Sequence, residues 1–195
     1  MGEPLIAAVL AGGEGRRMGG HKALRPFRGR PLIAHAVALA RRWTPEVVVV
    51  VREPAQVAGA VDAPLVLDQL EIPGPLAGLA AALRYAQSCG GERLMVAPCD
   101  MPRLPPDLAE RLAAALTEAH GVALPLLAGE LQPVCGLWRP RALEQLPAYL
   151  AAGQSSLRGF AAACGLATAT FAAEEAALFA NANTPEELDR LAAAP

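Results

Sequence analysis

The residues best suited to chemistry lie in a loop that follows an apolar run near the N-terminus. The segment Leu10-Ala11-Gly12-Gly13 opens this loop, and residues 12–20 contain five glycines. Arg17 and Lys22 add positive charge. Glycines let backbone N–H groups approach an anion closely, and cationic side chains offset its charge. The loop therefore predicts a phosphate-binding site, since a plain flexible turn needs neither this length nor this charge.

Two common phosphate-binding patterns do not fit this loop. Met18 stands where the third glycine of the dinucleotide-binding pattern Gly-x-Gly-x-x-Gly belongs. His21 separates Gly20 from Lys22, and Ala23 replaces the Ser or Thr that follows the lysine of a P-loop. The loop therefore belongs to neither of these two classes.

Lys22 is the one lysine among 17 basic residues. An ammonium on a flexible stem suits a point contact with phosphate oxygens in a crowded site, where a planar guanidinium is too bulky. Arg17 suits a bidentate contact with an outer phosphate. The other arginines close to the loop are interpreted as solvated surface charges: Arg16, Arg25, Arg28 and Arg30.

Two of the five aspartates, Asp68 and Asp100, lie just beyond the ends of predicted strands. A short carboxylate in the position of Asp100 can hold Mg²⁺ against substrate phosphates, and a capping or turn role is the alternative. Asp68 opens a loop rich in glycine and proline that leads to Gly78. The peptide groups of that loop could recognise a base edge, although turn formation alone would explain residues 73–75.

An asparagine pair precedes the last predicted helix. Asn181 and Asn183 are two residues apart, which on an extended segment directs both amides to the same face. Thr184 and Glu187 fit an N-cap and a capping-box glutamate around a first-turn proline. Capping does not explain the asparagines, so they are candidate binding residues.

The elements that must position these residues alternate between short apolar runs and longer helical patterns, as in a mostly parallel sheet covered on both faces. Strands are predicted at Pro4–Leu10, Glu46–Val51, Pro64–Leu67 and Arg93–Ala97, and near Gly121–Leu124, Gln132–Trp138 and Thr168–Phe171. Helices are predicted at Pro31–Arg42, Leu76–Ser88, Pro106–Ala119, Arg141–Ala151, Ser155–Ala163 and Pro185–Ala193. The valine run Val47–Val51 predicts a strand buried on both faces. Residues 1–195 are interpreted as one domain.

Composition and charge narrow the classes of function. The 195 residues are 53% hydrophobic but only 4% aromatic, which is too few rings for a platform that stacks single-stranded nucleic acid. The formal net charge of −2 divides into +6 for residues 1–42 and −8 for the rest, so the N-terminal fifth attracts anions. With no recognition-helix motif beside this basic segment, we expect no nucleic-acid partner.

The apolar runs and cysteines predict the compartment. Every apolar run is shorter than the roughly 18 residues of a membrane span, and the N-terminus lacks the basic start of a signal peptide. The four cysteines show no metal-ligand spacing and are expected to be reduced. A cytoplasmic protein without a membrane partner is therefore expected.

Taken together, these segments resemble the molybdenum cofactor guanylyltransferases, the MobA-like nucleotidyltransferases. The matching segments lie in family order across almost the whole chain: Leu10–Gly13, Arg17–Gly20, Lys22–Leu24, Gly74–Gly78, Pro98–Pro102 and Asn181–Leu188. The resemblance implies a three-layer α/β/α Rossmann-like nucleotidyltransferase fold. It also implies GMP transfer from GTP to molybdenum-loaded molybdopterin, with Mg²⁺ as cofactor and pyrophosphate as the leaving group.

The resemblance also implies roles for single residues. The guanine nucleotide site would be lined by Leu10, Ala11, Gly12 and Gly13, with Asp68 near the base or ribose. The phosphates would be contacted by Arg17 and Lys22, the Mg²⁺ would be held by Asp100, and the pterin phosphate would arrive beside Asn181 and Asn183. The Gly12-Gly13 pair would leave room for a purine, since related cytidylyltransferases resemble an Ala-Ala-Gly version.

Two positions depart from the family pattern and keep other functions open. His21 stands where the family usually has aspartate, and Arg52 lies where it tends to have a nucleotide-binding asparagine. The alternatives are a molybdopterin cytidylyltransferase or other transferase of the same fold, and a non-catalytic GTP-binding partner protein. Molybdoenzyme chaperones or apoenzymes are the candidate recipients of the product.

Overall fold

The computed structural model describes residues 3–13, 20–68, 71–72 and 74–193. The strands in these ranges are β1 (Leu5–Leu10), β2 (Pro26–Phe27), β3 (Arg30–Pro31), β4 (Val47–Val51), β5 (Leu65–Leu67), β6 (Arg93–Pro98), β7 (Val122–Leu127), β8 (Glu130–Leu131), β9 (Gly136–Trp138) and β10 (Leu166–Phe171). The α-helices are α1 (Leu32–Trp43), α2 (Leu76–Ser88), α3 (Leu108–Ala115), α4 (Leu146–Ala151), α5 (Leu157–Ala163) and α6 (Pro185–Ala193).

One mostly parallel sheet organises the described residues. Its strand order is β10-β7-β9-β6-β1-β4-β5, with β8 paired to β7. The strands β5, β4, β1 and β6 are parallel neighbours, and β10 is parallel to β7. Only β8 and β9 run antiparallel to their neighbours among these strands. The predicted α/β class with a mostly parallel sheet is confirmed.

Two apolar layers cover the sheet. On one face, Ile33 and Val37 of α1 and Leu112 of α3 pack with the sheet. On the other face, Leu83 of α2 and Phe160 of α5 do the same. The valines of β4 are buried throughout, as the uninterrupted apolar run predicted, because each faces one of the two layers.

Three predicted elements differ from the structure. The strand predicted at Gln132–Trp138 is β9 alone, preceded by β8 and a turn that includes Pro133, which has no N–H to donate to a strand neighbour. The helix predicted at Pro106–Ala119 is limited to α3. The helix predicted at Arg141–Ala151 is divided into a 3₁₀ helix, Pro140–Gln145, and α4, which has a proline in its first turn.

A small hairpin that the periodicity did not predict joins β2 to β3. Arg28 and Gly29 at its turn have φ angles of 47° and 79°, which gives the twist that suits a two-residue connection. The hairpin packs on the C-terminal helix, since Phe27 shares an apolar cluster with Leu188 of α6. The Arg28 Nε donates to the Ala192 carbonyl at 3.1 Å. The hairpin thus anchors α6 through both an apolar and a polar contact.

No helix in the described ranges combines the length and the apolar character needed to cross a membrane.

Candidate functional site

Four neighbouring strands end at one edge of the sheet and carry the predicted site residues there. Asp68 follows β5, Arg52 follows β4, the glycine loop follows β1, and Cys99 and Asp100 follow β6. The pairing continues one residue past the strands, since the backbone N–H groups of Ala11, Asp68 and Cys99 each donate to the neighbouring strand. The parallel topology therefore brings together residues that are far apart in sequence.

Lys22 reaches this edge from a 3₁₀ turn, Lys22–Leu24. The turn follows Gly20 and His21, whose φ angles of 82° and 50° are left-handed. The Lys22 ammonium donates to Asp100 Oδ2 at 2.5 Å and to Asn183 Oδ1 at 3.0 Å. The side chains of Lys22 and Asp100 are 11% and 20% exposed. This partial withdrawal from water strengthens the ion pair relative to one on the open surface.

The C-terminal segment is tied into the same site through its backbone. The Ala182 N–H donates to the Asp100 carbonyl at 2.9 Å, and Ala182 is buried. The Glu187 carboxylate accepts from the N–H groups of Asn183 at 2.7 Å and Thr184 at 3.3 Å, while Thr184 Oγ1 accepts from the Glu187 N–H at 3.2 Å. The predicted capping box is present, and it also fixes the residue that contacts Lys22.

The two predicted asparagines have different surroundings. Asn183 is half-buried and contacts the Lys22 ammonium, whereas Asn181 is exposed on the other side of the buried Ala182. The structure therefore brings Asn183, but not Asn181, into contact with Lys22.

Asp68 lies between two glycines. A Cβ atom on Gly12 would stand 2.8 Å from Asp68 Oδ2, and one on Gly78 would stand 3.4 Å from Asp68 Oδ1. The Asp68 side chain is 8% exposed, and its Oδ2 lies 3.8 Å from the Arg52 Nε. The close approach explains why glycine occupies position 12, since a larger residue would displace the carboxylate.

A cleft of about 400 Å³ joins these residues. Its lining includes residues around Lys22 and residues around Asp68: Leu10, Gly12, Gly13, Lys22, Arg52, Asp68, Gly74, Pro75, Gly78, Cys99, Asp100, Val134 and Leu157. A second cleft of about 350 Å³ shares Gly13, Lys22 and Arg52 with the first and also includes Ala11 and His21. A volume of this size suits a small-molecule substrate. No atom of the described residues lies within 4 Å of the place where a Cβ on Gly13 would project, so among these residues Gly13 leaves room between the clefts.

The thiol of Cys99, which precedes Asp100 in the chain, is not a reactive nucleophile. Burial, followed by the neighbouring Asp100 charge, raises the pKa of Cys99 to about 12. A thiol with this pKa is protonated near neutral pH and is a poor nucleophile. The charged groups available to substrate in the first cleft are therefore Lys22, Arg52, Asp68 and Asp100 among its described lining residues.

Two side-chain oxygens of this site are of a type that divalent cations accept, although the described residues supply few such ligands. In the part of the chain that is described, no three His, Cys, Asp or Glu side chains are grouped closely enough to hold a metal. Asp100 Oδ2 and Asn183 Oδ1 nevertheless converge on one point, which the Lys22 ammonium occupies. Carboxylate and amide oxygens are ligands that Mg²⁺ accepts, usually together with substrate phosphates and water.

Sequence reasoning missed part of the cleft lining, and the structure leaves one predicted residue untested. The predicted phosphate contact Arg17 lies outside the described residues. The sequence marked Arg52 only as a departure from the family pattern, and the structure places it in the cleft because it directly follows a buried strand, as Asp68 and the glycine loop do. Val134 and Leu157 reach the cleft only through the tertiary fold, and no local pattern marks them.

Comparison with known proteins decides the family. The family model described as MobA-like NTP transferase domain matches residues 7–180. The chain belongs to this family. The match includes the glycine loop, Lys22, Asp68 and Asp100 and ends just before the asparagine pair.

Curated relatives of this MobA-like chain match it over nearly their full length. A molybdenum cofactor guanylyltransferase from Cereibacter sphaeroides is 43% identical over 191 residues, covering 95% of this chain and 94% of the relative. One from Cupriavidus metallidurans is 36% identical over 194 residues, covering 95% and 93%. The family resemblance stated from the sequence is confirmed.

Solved structures share the MobA-like fold. Molybdopterin-guanine dinucleotide biosynthesis protein A from Archaeoglobus fulgidus has a TM-score of 0.72 at 24% identity, with 95% of each chain covered. The CMP:2-keto-3-deoxy-manno-octonic acid synthetase complexed with CTP has a TM-score of 0.71 at 15% identity, with 97% of each chain covered. At these identities the similarity establishes a nucleotidyltransferase fold.

Proposed function

We propose that this protein transfers GMP from GTP to molybdenum-loaded molybdopterin, which yields the guanine dinucleotide form of the cofactor and pyrophosphate. The observation that carries the proposal is the contact of Lys22 with Asp100 and Asn183 inside a cleft at the carboxyl ends of the parallel strands. The guanylyltransferase name shared by the relatives described above supports the choice of substrates.

The base and sugar of the nucleotide would lie on the side of the cleft lined by Leu10, Gly12, Gly13 and Asp68. Asp68 is an acceptor with little exposure, and a buried carboxylate suits the N–H groups of a guanine edge or the hydroxyls of a ribose. Ala11 lines the adjoining cleft. The open space at Gly13 supports a purine in preference to a smaller base.

The phosphates would lie toward Lys22. Its ammonium, together with Arg17, would neutralise charge on the triphosphate, and Asp100 would hold Mg²⁺ with the Asn183 amide oxygen nearby. When bound, Mg²⁺ supplies Lewis-acid neutralisation of phosphate charge. Because charge stabilisation and positioning are the main contributions in phosphoryl-group chemistry, the site needs no activated Ser, Cys or His.

The acceptor would approach from the side of Asn181 and Asn183. A terminal phosphate oxygen of the pterin attacks the α-phosphorus of GTP, a new P–O–P bond forms, and the bond to the β-phosphate oxygen breaks to release pyrophosphate. Asn183 is fixed by the Glu187 carboxylate through its backbone N–H, so its amide can orient the incoming phosphate. We place this reaction in the cytoplasm and name molybdoenzyme chaperones or apoenzymes as recipients of the product.

The alternatives are separable by nucleotide preference and turnover. A cytidylyltransferase would release pyrophosphate from CTP in preference to GTP, and a non-catalytic partner would bind GTP without releasing any. The relatives described above are guanylyltransferases by name, and nothing in the cleft favours either alternative.

The test is pyrophosphate release from GTP, ATP and CTP with Mg²⁺, with and without molybdenum-loaded molybdopterin. We expect release with GTP that requires the acceptor. Lys22→Ala and Asp100→Ala should each lower turnover about a hundredfold or more, as loss of one charge-stabilising group does. The matched controls are Arg30→Ala and Asp107→Ala, which remove exposed charges outside the cleft. Near-normal turnover in a folded Lys22→Ala or Asp100→Ala variant would refute the assignment.

A further inference from the structure

The Lys22 ammonium lies where two oxygen ligands from distant parts of the chain converge. Asp100 Oδ2 is 2.5 Å away and Asn183 Oδ1 is 3.0 Å away. The backbone of each residue is fixed by a hydrogen bond, since the Asp100 backbone carbonyl accepts from the Ala182 N–H and the Asn183 backbone N–H donates to the Glu187 carboxylate. The arrangement is a cation site built of hard oxygens, with a side-chain cation inside it.

The Lys22 ammonium and a divalent metal ion would compete for the position between these two oxygens. Asp100 is the carboxylate of this group, and no cluster of three or more potential ligands of the His, Cys, Asp and Glu types lies within the described ranges. A metal arriving alone would have to displace an ammonium 2.5 Å from Oδ2 and would then lie beside that positive charge. Repulsion between cations at such short range is large when both are partly withdrawn from water.

A nucleotide triphosphate changes this balance because it offers Lys22 another partner. The lysine extends from a turn of only three residues, Lys22–Leu24, after Gly20 with its left-handed φ of 82°. A flexible four-carbon stem lets the ammonium move from the carboxylate to phosphate oxygens without moving Asp100. The phosphates would also bring the ligands that the protein lacks for the metal.

We propose that Lys22 holds the place of the divalent cation until nucleotide binds, so that the free protein takes up little metal and the metal enters with the triphosphate. The inference rests on the proposed function, in which the same cleft binds a nucleoside triphosphate. Lys22 is then more than a phosphate contact, because it also sets the order in which metal and nucleotide occupy the site.

The test measures Mn²⁺ binding to the nucleotide-free protein from the loss of the free Mn²⁺ signal in electron paramagnetic resonance. Wild type should bind weakly. Lys22→Met removes the charge and keeps the side-chain volume, and it should raise the affinity for Mn²⁺ at least about tenfold. The double variant Lys22→Met/Asp100→Asn should lose that gain. Arg30→Met, which removes an exposed charge outside the cleft, should bind Mn²⁺ as wild type does.

Each outcome decides the proposal. Wild-type protein that binds Mn²⁺ as tightly as Lys22→Met would overturn it, as would a gain that persists in the double variant. Thermal melting establishes that the variants are folded, and the wild-type titration remains decisive if Lys22→Met does not fold, because tight binding there contradicts the proposal. No nucleotide is present in these titrations, so a failed GTP assay would count against the proposed function while leaving the metal-binding result to stand by itself.

Discussion

Adjacent glycines at the start of the loop offer a pair of substitutions with different expected effects, one on stability and one on nucleotide binding. A Cβ on Gly12 would stand 2.8 Å from Asp68 Oδ2 and 3.5 Å from Arg52 Cγ, whereas a Cβ on Gly13 would meet no atom of the described residues within 4 Å. Gly12→Ala therefore forces the nearly buried Asp68 carboxylate to move. Gly13→Ala adds a methyl group to the space between the two clefts without disturbing the fold.

The contact distances set the expected sizes of these effects. Overpacking by one methyl group in a well-packed region typically costs about 1–3 kcal/mol, so Gly12→Ala should be destabilised by that amount. For a chain of this length, about 2–4 °C of Tm per kcal/mol gives a fall of roughly 2–12 °C. Gly13→Ala should stay within about 0.5 kcal/mol of wild type, as substitutions that touch no neighbour usually do.

Thermal and urea unfolding measure stability, and titration with GTP and CTP measures binding. Gly13→Ala should keep the wild-type Tm and lose affinity for GTP more than for CTP, because the added methyl group takes space from the larger base. A wild-type Tm for Gly12→Ala, or equal destabilisation of both variants, would contradict the packing described around Asp68.

Further expectations concern thiols and a helix cap. Iodoacetamide near pH 8 should label the exposed Cys89 in the folded protein and reach the buried thiols only after unfolding; these are Cys99, Cys135 and Cys164. Burial raises the pKa of Cys135 from 9.0 to about 12, so the folded state keeps a proton that the unfolded state loses. Unfolding free energy should therefore fall above pH 9, by about 1.4 kcal/mol per pH unit for this thiol until pH 12, with a shallower slope in Cys135→Ala in urea titrations. Ser156→Ala removes the cap that accepts from the Gly159 N–H at 3.0 Å and should cost about 1 kcal/mol in the same assay.

The parallel part of the fold could be predicted from the sequence because its local signals agree with the tertiary structure. The valine run of β4 has no polar alternation, which is how a strand between two helical layers must look. Once parallel strands are inferred, the strand-end rule places Asp68 and Asp100 at the same edge, as the structure shows.

The direction of β9 and the contact between Lys22 and Asn183 depend on tertiary contacts, which no local sequence pattern indicates. The antiparallel direction of β9 follows from the reversal at Ala128 and Gly129 between β7 and β8, and the three residues of β9 are too few for a periodic signal. The contact between Lys22 and Asn183 joins residues 161 positions apart. The spacing of the asparagines could predict a shared face, but it does not indicate which amide reaches the ammonium, in a segment whose Ala182 packs with Phe27 of the hairpin.

The sequence separations within the Lys22 contact network bear on how the protein acquires function during synthesis. During synthesis, Asp100 follows Lys22 by 78 residues, and Asn183 follows Lys22 by 161 residues. A nascent chain that extends only through β6 therefore lacks both partners of the Lys22 ammonium, even if its strands have already paired. Closing contacts of such long range is slow and comes late in folding. Full nucleotide turnover is consequently expected only after Asn183 has been synthesised and has docked beside Lys22.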